Sequence, residues 1–290
     1  MKVFFYRRPD LGMAFLRIEH YFKLFAPKLF RWVGDINNAD LAIVNIVGME
    51  DIYYTLNLQI PYVIVFHCPL PDTNAIQEAF SRAVAIYSFL DLSNFKGNIM
   101  RGGWGVDPTL FYVEPFMEKQ FTILATGMVA HTEALGEIYQ ACVRIGGRML
   151  HAGPDVSHQI RHLNPQYYYQ QYFYDPNLLR LAYNSAKFVS GLRRDTGFEL
   201  PVLEGLLCGC RPICFDFEVY RYYFNDFAIF IKQTGATFTY TDFEDITQQL
   251  VDVFQNKYTP VTKEEIEEAK KRFAWEVIVQ KFWNFILQSL

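Results

Sequence analysis

The sequence predicts an α/β protein built from two Rossmann-like domains in series, each a mostly parallel sheet covered by helices. Continuous apolar runs such as LAIVNIV, VIVF and FTILA are of the kind buried on both faces of a sheet. They alternate with stretches of helical period, which is the pattern of βαβ units. The segment RGGWGVDPTLFYVEP, residues 101–115, is rich in glycine and proline and runs into the charged EPFMEKQ, so it separates two such series. The expected domains are 1–115 and 116–290, the second including a closing helix.

In the first series, Val3 to Tyr6 is a short apolar strand. Gly12 to Phe25 carries Met13, Phe15, Leu16, Ile18, Tyr21, Phe22 and Phe25 at helical spacing. LAIVNIV follows Asn38-Ala39-Asp40 as a buried strand, and Met49 to Leu58 is a short helix. Pro61-Tyr62 opens the strand VIVF, which ends at His67. Asp72 is placed to cap a helix from Thr73 to Arg82, and AVAIYSF is the next strand. In the second series FTILATG is a strand, Glu133 to Ile145 a helix, and RMLHAGP a strand ending in a turn. Pro176 to Ser185 is a helix, KFVSGL a strand, Leu200 to Leu207 a helix and RPICFD a strand. The tail from Lys263 to Leu290 reads as one helix whose charged start gives way to the stripe Trp275, Ile278, Val279, Phe282, Trp283, Ile286.

Hydrophobic residues make up 51% and charged residues 20% of the 290, which excludes a disordered chain. The net charge of -4 supplies no global attraction to nucleic acid. No run reaches the ~18 apolar residues of a membrane span, and MKVFFYRRPD reads as a strand, not a signal peptide. Any membrane contact is expected to be peripheral. The five cysteines, Cys68, Cys142, Cys208, Cys210 and Cys214, favour reduced thiols in a cytoplasmic protein. Cys208-Gly-Cys210-x3-Cys214 invites a zinc reading, but no companion Cys/His pair at zinc spacing accompanies it. Small buried residues are the better account.

The segment Gly191 to Asp216, GLRRDTGFELPVLEGLLCGCRPICFD, carries the chemistry. A strand runs into a polar loop containing Gly197, and a helix starts near Pro201, where a missing N–H is no loss. The free amides of that helix start can hold a phosphate. Arg193 and Arg194 add positive charge suited to bidentate binding of a diphosphate. Glu204, one turn into the helix, can accept hydrogen bonds from the vicinal hydroxyls of a ribose. The spacing alone equally suits an ordinary strand–loop–helix crossover with surface arginines.

This segment resembles the signature of the family 4 (GT4) retaining glycosyltransferases, E-G-F-G-L-P-x-L-E-A-M-A-C-G-x-P-V-V, matched here by TGFELPVLEGLLCGCRPIC with one extra residue near Arg211. GGWGVDPTLFYVEP is similar to the turn that ends the family's first domain. ILATGMV followed by a helix and MLHAGP, then DPNLLRLAYNSAKFVS, then RFAWEVIVQKFWNFI, match further family segments in the same order. The resemblance covers residues 101–290. It implies a GT-B fold, in which two Rossmann-like domains face each other across a cleft, and transfer of a sugar from a nucleotide-diphosphate donor such as a UDP- or GDP-sugar.

Carried over by position, the resemblance makes Glu204 the ribose-binding member of the family's E-x7-E pair. It puts Gly197, Phe198 and Glu199, with the flanking Asp195, Thr196 and Leu200, in the loop that contacts donor sugar and phosphate. Gly127 falls in the turn after the second domain's first strand, also on the donor. PYVIVFHCPLP resembles a first-domain strand end whose histidine lies near the donor sugar, which makes His67 a catalytic candidate beside Arg193 and Arg194. By itself His67 reads as well as a satisfied loop histidine. Three departures stand out: Thr196 replaces the first glutamate of the pair, Met128 and Ala134 occupy the region of the family's Arg and Lys, and the loop after the first strand keeps only Gly12. No metal and no separate cofactor are expected, because arginines and amides neutralise the leaving phosphate. The acceptor is a hydroxyl, on a glycan or on a modified base of viral DNA. Arg7, Arg8, Lys23, Lys28 and Arg31 are a possible basic rim for an anionic partner. A non-catalytic sugar-nucleotide binder is the alternative, supported by Thr196.

Overall fold

The computed structural model describes residues 1–10, 13–67, 69–71, 73–195, 197–235 and 241–290, and of Met13 only the backbone. The chain divides into two compact units, Val106–Arg272 and a first unit made of Met1–Gly105 with Phe273–Leu290.

The first unit runs β1 (Lys2–Tyr6), α1 (Met13–Leu24), β2 (Arg31–Val33), β3 (Leu41–Ile46), α2 (Met49–Leu56), β4 (Tyr62–Phe66), α3 (Asn74–Arg82), β5 (Ala85–Ser88) and β6 (Ile99–Arg101). Its strands form a parallel sheet in the order β2-β1-β3-β4-β5-β6. All six residues of β3 and all five of β4 are buried, as continuous apolar runs demand. The helix after β4 is capped by Thr73, whose hydroxyl accepts from the Ile76 amide; the cap expected at Asp72 lies outside the described residues. Gly12, Cys68 and Thr196 lie outside them too.

The second unit runs β7 (Phe121–Thr126), α4 (Leu135–Ile145), β8 (Met149–Ala152), β9 (Tyr168–Gln171), α5 (Pro176–Asn184), β10 (Ala186–Gly191), α6 (Leu200–Leu207), β11 (Arg211–Phe215), α7 (Glu218–Phe224), β12 (Ile229–Ile231), α8 (Phe243–Asn256) and α9 (Lys263–Phe273). The order of this second parallel sheet is β12-β11-β10-β7-β8-β9. From β7 the chain winds outward through β8 and β9, then returns to β10 and winds the other way through β11 and β12. The sheet reverses between β7 and β10, so the loops leaving those strands flank its switch point, where α/β sheets bind ligands.

The C-terminal tail is two helices, not one. α9 stops at Phe273, Ala274 leaves the helical region (φ -57, ψ 137), and α10 (Trp275–Ser289) follows. The predicted stripe is buried, but in the first unit. Trp283 is 1% exposed, lies 4.4 Å from the Phe30 ring, and donates its indole N–H to the Phe22 carbonyl at 3.1 Å. Phe282 meets Phe22 at 4.4 Å and Tyr87 at 5.3 Å, and Trp275 stacks on Tyr21 at 4.9 Å. The unit boundary therefore falls at Gly105/Val106 and again at Arg272/Phe273, where the sequence pattern suggested one break near 115 and a closing helix kept with the second domain. An amphipathic helix shows which face it buries, not which core receives it.

Cys142, Cys208, Cys210 and Cys214 are buried and unpaired to one another, and burial pushes the Cys210 thiol up to about 12. Among the described residues no group of three or more His, Cys, Asp and Glu is disposed to hold a metal, and no helix is long and apolar enough to cross a membrane.

Candidate functional site

Most of the predicted site residues gather on the second unit at its switch point. β10 ends at Gly191, and α6 packs so closely over this strand that a Cβ on Gly205 would lie 2.6 Å from Cγ1 of Val189. That close approach brings the start of α6, with Phe198 and Leu200 buried, to the carboxyl end of β10. On the neighbouring strand, Gly127 closes β7 at φ +134, a backbone conformation that side chains rarely adopt. The Gly127 carbonyl accepts from Nε2–H of buried His151 at 3.0 Å, while Nδ1 of His151 accepts from the Tyr168 hydroxyl at 2.8 Å. Burial raises Tyr168 to about 12, so it remains a donor. Burial also lowers His151, against the pull of the Gly127 carbonyl, and keeps it neutral.

The two loops meet around Arg193. Its Nε donates to Oδ1 of Asp195 at 2.8 Å and its Nη2 to Oδ2 at 3.3 Å. Nη1 lies 3.6 Å from Oε1 of Glu133, in the loop after β7, and Nε lies 3.8 Å from Oε1 of Glu199. Burial alone would lower the pKa of Arg193, but Glu199, Asp195 and Glu133 outweigh it and hold the guanidinium charged. The Arg193 side chain keeps 38% of its surface exposed, against 13% for Glu133 and 14% for Glu199. Burial lifts the Glu133 carboxyl to about 7 against the opposing pull of Arg193. Glu199 is raised by burial as well, opposed by Arg193 and reinforced by Asp195. Gly197 packs between these groups, its virtual Cβ 3.1 Å from Oε1 of Glu199 and 3.4 Å from Cδ of Arg193.

Arg194 faces the other way and requires a correction. Its side chain is fully buried. Nη1 donates to both carboxylate oxygens of Asp242, at 3.0 and 2.9 Å, Nη2 donates to Glu137 on α4, and Nε donates to the His131 carbonyl at 3.1 Å. Every guanidinium nitrogen is engaged inside the unit, so Arg194 is a structural clamp joining α4 to the residue before α8. It is not available to a phosphate.

The start of α6 also offers fewer donors than expected. Pro201 has no N–H, and the Val202 amide donates to the Glu199 carbonyl at 3.1 Å. Glu204 is buried on α6, where Oε2 accepts from the Tyr183 hydroxyl at 3.0 Å.

His67 lies in the first unit, just after β4. The amide of Asn45 donates to the Tyr6 carbonyl at 2.9 Å, which fixes its oxygen as the acceptor for Nε2–H of His67 at 2.8 Å. The imidazole stacks on Trp104 at 4.8 Å and meets Phe15 edge-on, also at 4.8 Å. Burial drops its pKa to about 3, so His67 is a neutral, rigidly held ring and not a cation at physiological pH. Three of the five residues of the basic rim are paired with carboxylates. Arg7 and Lys23 both pair with Glu19, at 3.1 and 2.6 Å, and Arg8 pairs with Glu50 and Asp51.

Glu133, His151, Glu137 and Asp242 were not singled out from the sequence. Glu133 was legible only as the predicted first residue of a helix; in the structure α4 begins at Leu135, and Glu133 turns back to accept from the Val129 amide at 3.0 Å.

No protein-family model matches the chain, and no curated protein sequence does. Solved structures match in fold. TarM superposes with a TM-score of 0.64 at 14% identity over 85% of this chain and 54% of TarM. Sucrose-phosphate synthase from Thermosynechococcus elongatus gives 0.68 at 12% identity over 86% of this chain and 73% of that one. AviGT4, a glycosyltransferase involved in avilamycin A biosynthesis, gives 0.63 at 9% identity over 99% and 97%. The chain thus spans about half the length of TarM and nearly all of AviGT4. A mutant S. aureus TarM was solved in complex with fondaparinux, alpha-GlcNAc-glycerol and UDP. The two six-stranded parallel α/β sheets are those of the GT-B glycosyltransferase fold.

Proposed function

We propose that the chain is a glycosyltransferase that uses a nucleotide-diphosphate sugar, UDP- or GDP-linked, as donor and a hydroxyl as acceptor. One observation carries the reading: the loops leaving β7 and β10, strands that meet at the switch point of the second sheet, come together at the partly exposed Arg193, and the adjoining helix carries a buried carboxylate, Glu204. The GT-B fold and the TarM complex with UDP support it, as does the resemblance of the 196–214 segment to the family 4 signature. In this reading Glu204 holds the ribose hydroxyls, with Tyr183 as its positioning partner. Arg193 and the backbone of Gly197, Phe198, Glu199 and Leu200 meet the diphosphate.

The anomeric C–O bond to the diphosphate breaks, and its electron pair leaves with the phosphate oxygen. The acceptor oxygen bonds to the anomeric carbon from the same face, with retention, and its proton passes to the departing phosphate oxygen. Arg193 stabilises the charge that develops there, without a metal. A glycan hydroxyl is the favoured acceptor, since three of the five basic residues that would have suited DNA, Arg7, Arg8 and Lys23, are paired with carboxylates.

A non-catalytic sugar-nucleotide binder remains the second reading, because three carboxylates surround Arg193 and Thr196 stands where the family has a glutamate. Release of free UDP or GDP from a sugar-nucleotide panel, with glycan acceptors, tests the transferase. If UDP or GDP raises the Tm while no donor is consumed, the binder reading holds instead.

A further inference from the structure

The charge balance around Arg193 does not suit an anion as it stands. One guanidinium faces Asp195, Glu133 and Glu199, all within 3.8 Å. A diphosphate arriving at Arg193 would meet three carboxylates for one cation, and two of the three are largely shielded from water, where like charges repel most strongly. Asp195, the most exposed of them, can swing away. Glu133 cannot: its Oε2 is tied to the Val129 amide, and its chain packs against Gly127, whose virtual Cβ would lie 2.6 Å from Cγ of Glu133.

We propose that Glu133 is a positioning residue for the donor and that the diphosphate binds together with a proton on Glu133. The protonated carboxyl keeps its bond from Val129, stops competing for Arg193, and turns an O–H toward the incoming phosphate. The inference rests on the transferase or binder reading of the same site and adds to it a proton stoichiometry and a positioning role. Glu199 is raised by burial too, so two buried carboxyls share the site, and Glu133→Gln distinguishes which of them carries the proton. Arg193, Asp195 and Glu199 face it from the loop before α6, and Tyr220 on α7 faces Glu199 with its own ionisation pushed far up by burial. On its own loop the His131 carbonyl is bonded to Arg194, and His151 on β8 is held neutral against Gly127. Burial already brings Glu133 to about 7, so the proton is exchanged in the physiological range.

The test is calorimetric titration of wild-type protein and Glu133→Gln with UDP-glucose and with GDP-mannose from pH 6 to 8.5, in buffers of different ionisation enthalpy. The diphosphate diesters of these probes do not titrate in that range. Wild type should take up close to one proton per ligand at pH 8 and almost none at pH 6, with affinity falling up to about tenfold per pH unit above neutrality. Glu133→Gln keeps the acceptor for Val129 without the charge, so it should bind with no proton uptake and about tenfold more tightly than wild type at pH 8. Binding by wild type that is independent of pH, or a pH slope that survives in Glu133→Gln, overturns this inference alone. Absence of binding by both proteins at every pH overturns it together with the sugar-nucleotide reading.

Discussion

Arg194→Ala separates the two adjacent arginines most sharply. The wild-type side chain closes a buried three-member cluster with Glu137 on α4 and Asp242 before α8. Removing it leaves two carboxylates, 2% and 1% exposed, without their counter-charge. Breaking a buried ion pair from one side costs about 3–5 kcal/mol, which for a unit of this size lowers the Tm by roughly 6–20 °C. The loss should also depend on pH. In wild type, burial raises Asp242 but Arg194 and the Gly235 amide outweigh it, so the net shift is downward and its stabilisation is lost only as pH falls through that depressed value. Glu137 is already raised by burial in wild type against the opposing pull of Arg194, and without that pull Asp242 rises as well and Glu137 rises further. Their protonation then favours folding at low pH, and that contribution is lost as pH rises. Urea unfolding of both proteins at pH 5 and pH 8 should therefore show a larger gap at pH 8. A variant as stable as wild type that no longer binds or turns over donor would refute the clamp and return Arg194 to the phosphate.

Arg193→Ala should reverse that pattern: turnover drops by about a hundredfold or more in the donor-hydrolysis or transfer assay, with a smaller change in Tm than Arg194→Ala produces. Glu204→Ala should weaken sugar-nucleotide binding by about 1–3 kcal/mol, read by calorimetry, and a weaker effect of the same sign should follow Tyr183→Phe, which removes the hydroxyl bonded to that carboxylate. Trp283→Ala should cost about 3–5 kcal/mol and speed amide hydrogen exchange in β1 and α1 of the first unit, not in the second sheet. The raised carboxyl of Glu133 contributes stability that is fully present below its unfolded value and lost as pH rises through about 7. Without ligand, the stability of wild type relative to Glu133→Gln should accordingly decline between pH 5 and 8, by up to about 3 kcal/mol in urea midpoints.

Local chemistry determined much of this protein. The runs LAIVNI and YVIVF read as strands covered on both sides, and both are buried throughout. Pro201 and the apolar residues after it start α6 where the pattern puts it, and Asp175 followed by Pro176 does the same for α5. Shorter edge strands carried too little pattern to be seen: Arg31–Val33, Ile99–Arg101 and Ile229–Ile231 are three residues each. Their existence depends on a neighbour to pair with.

The site divides along the same line. That two arginines, a glycine loop and Glu204 belong to one strand–loop–helix was written in residues 191–204. Which arginine meets a ligand was not, because adjacent residues in an extended segment point to opposite sides. Arg194 turned inward because Glu137 and Asp242, 57 and 48 residues away, were waiting in the folded unit. Arg193 turned outward to Glu133, 60 residues away, and to its own loop. The same distance from local pattern explains α10, whose apolar face was legible but whose partners Phe22 and Phe30 lie some 250 residues earlier in the chain. Periodicity specifies what an element must bury; only closure of the tertiary structure decides against what, and that choice buried one arginine among carboxylates and left its neighbour partly exposed.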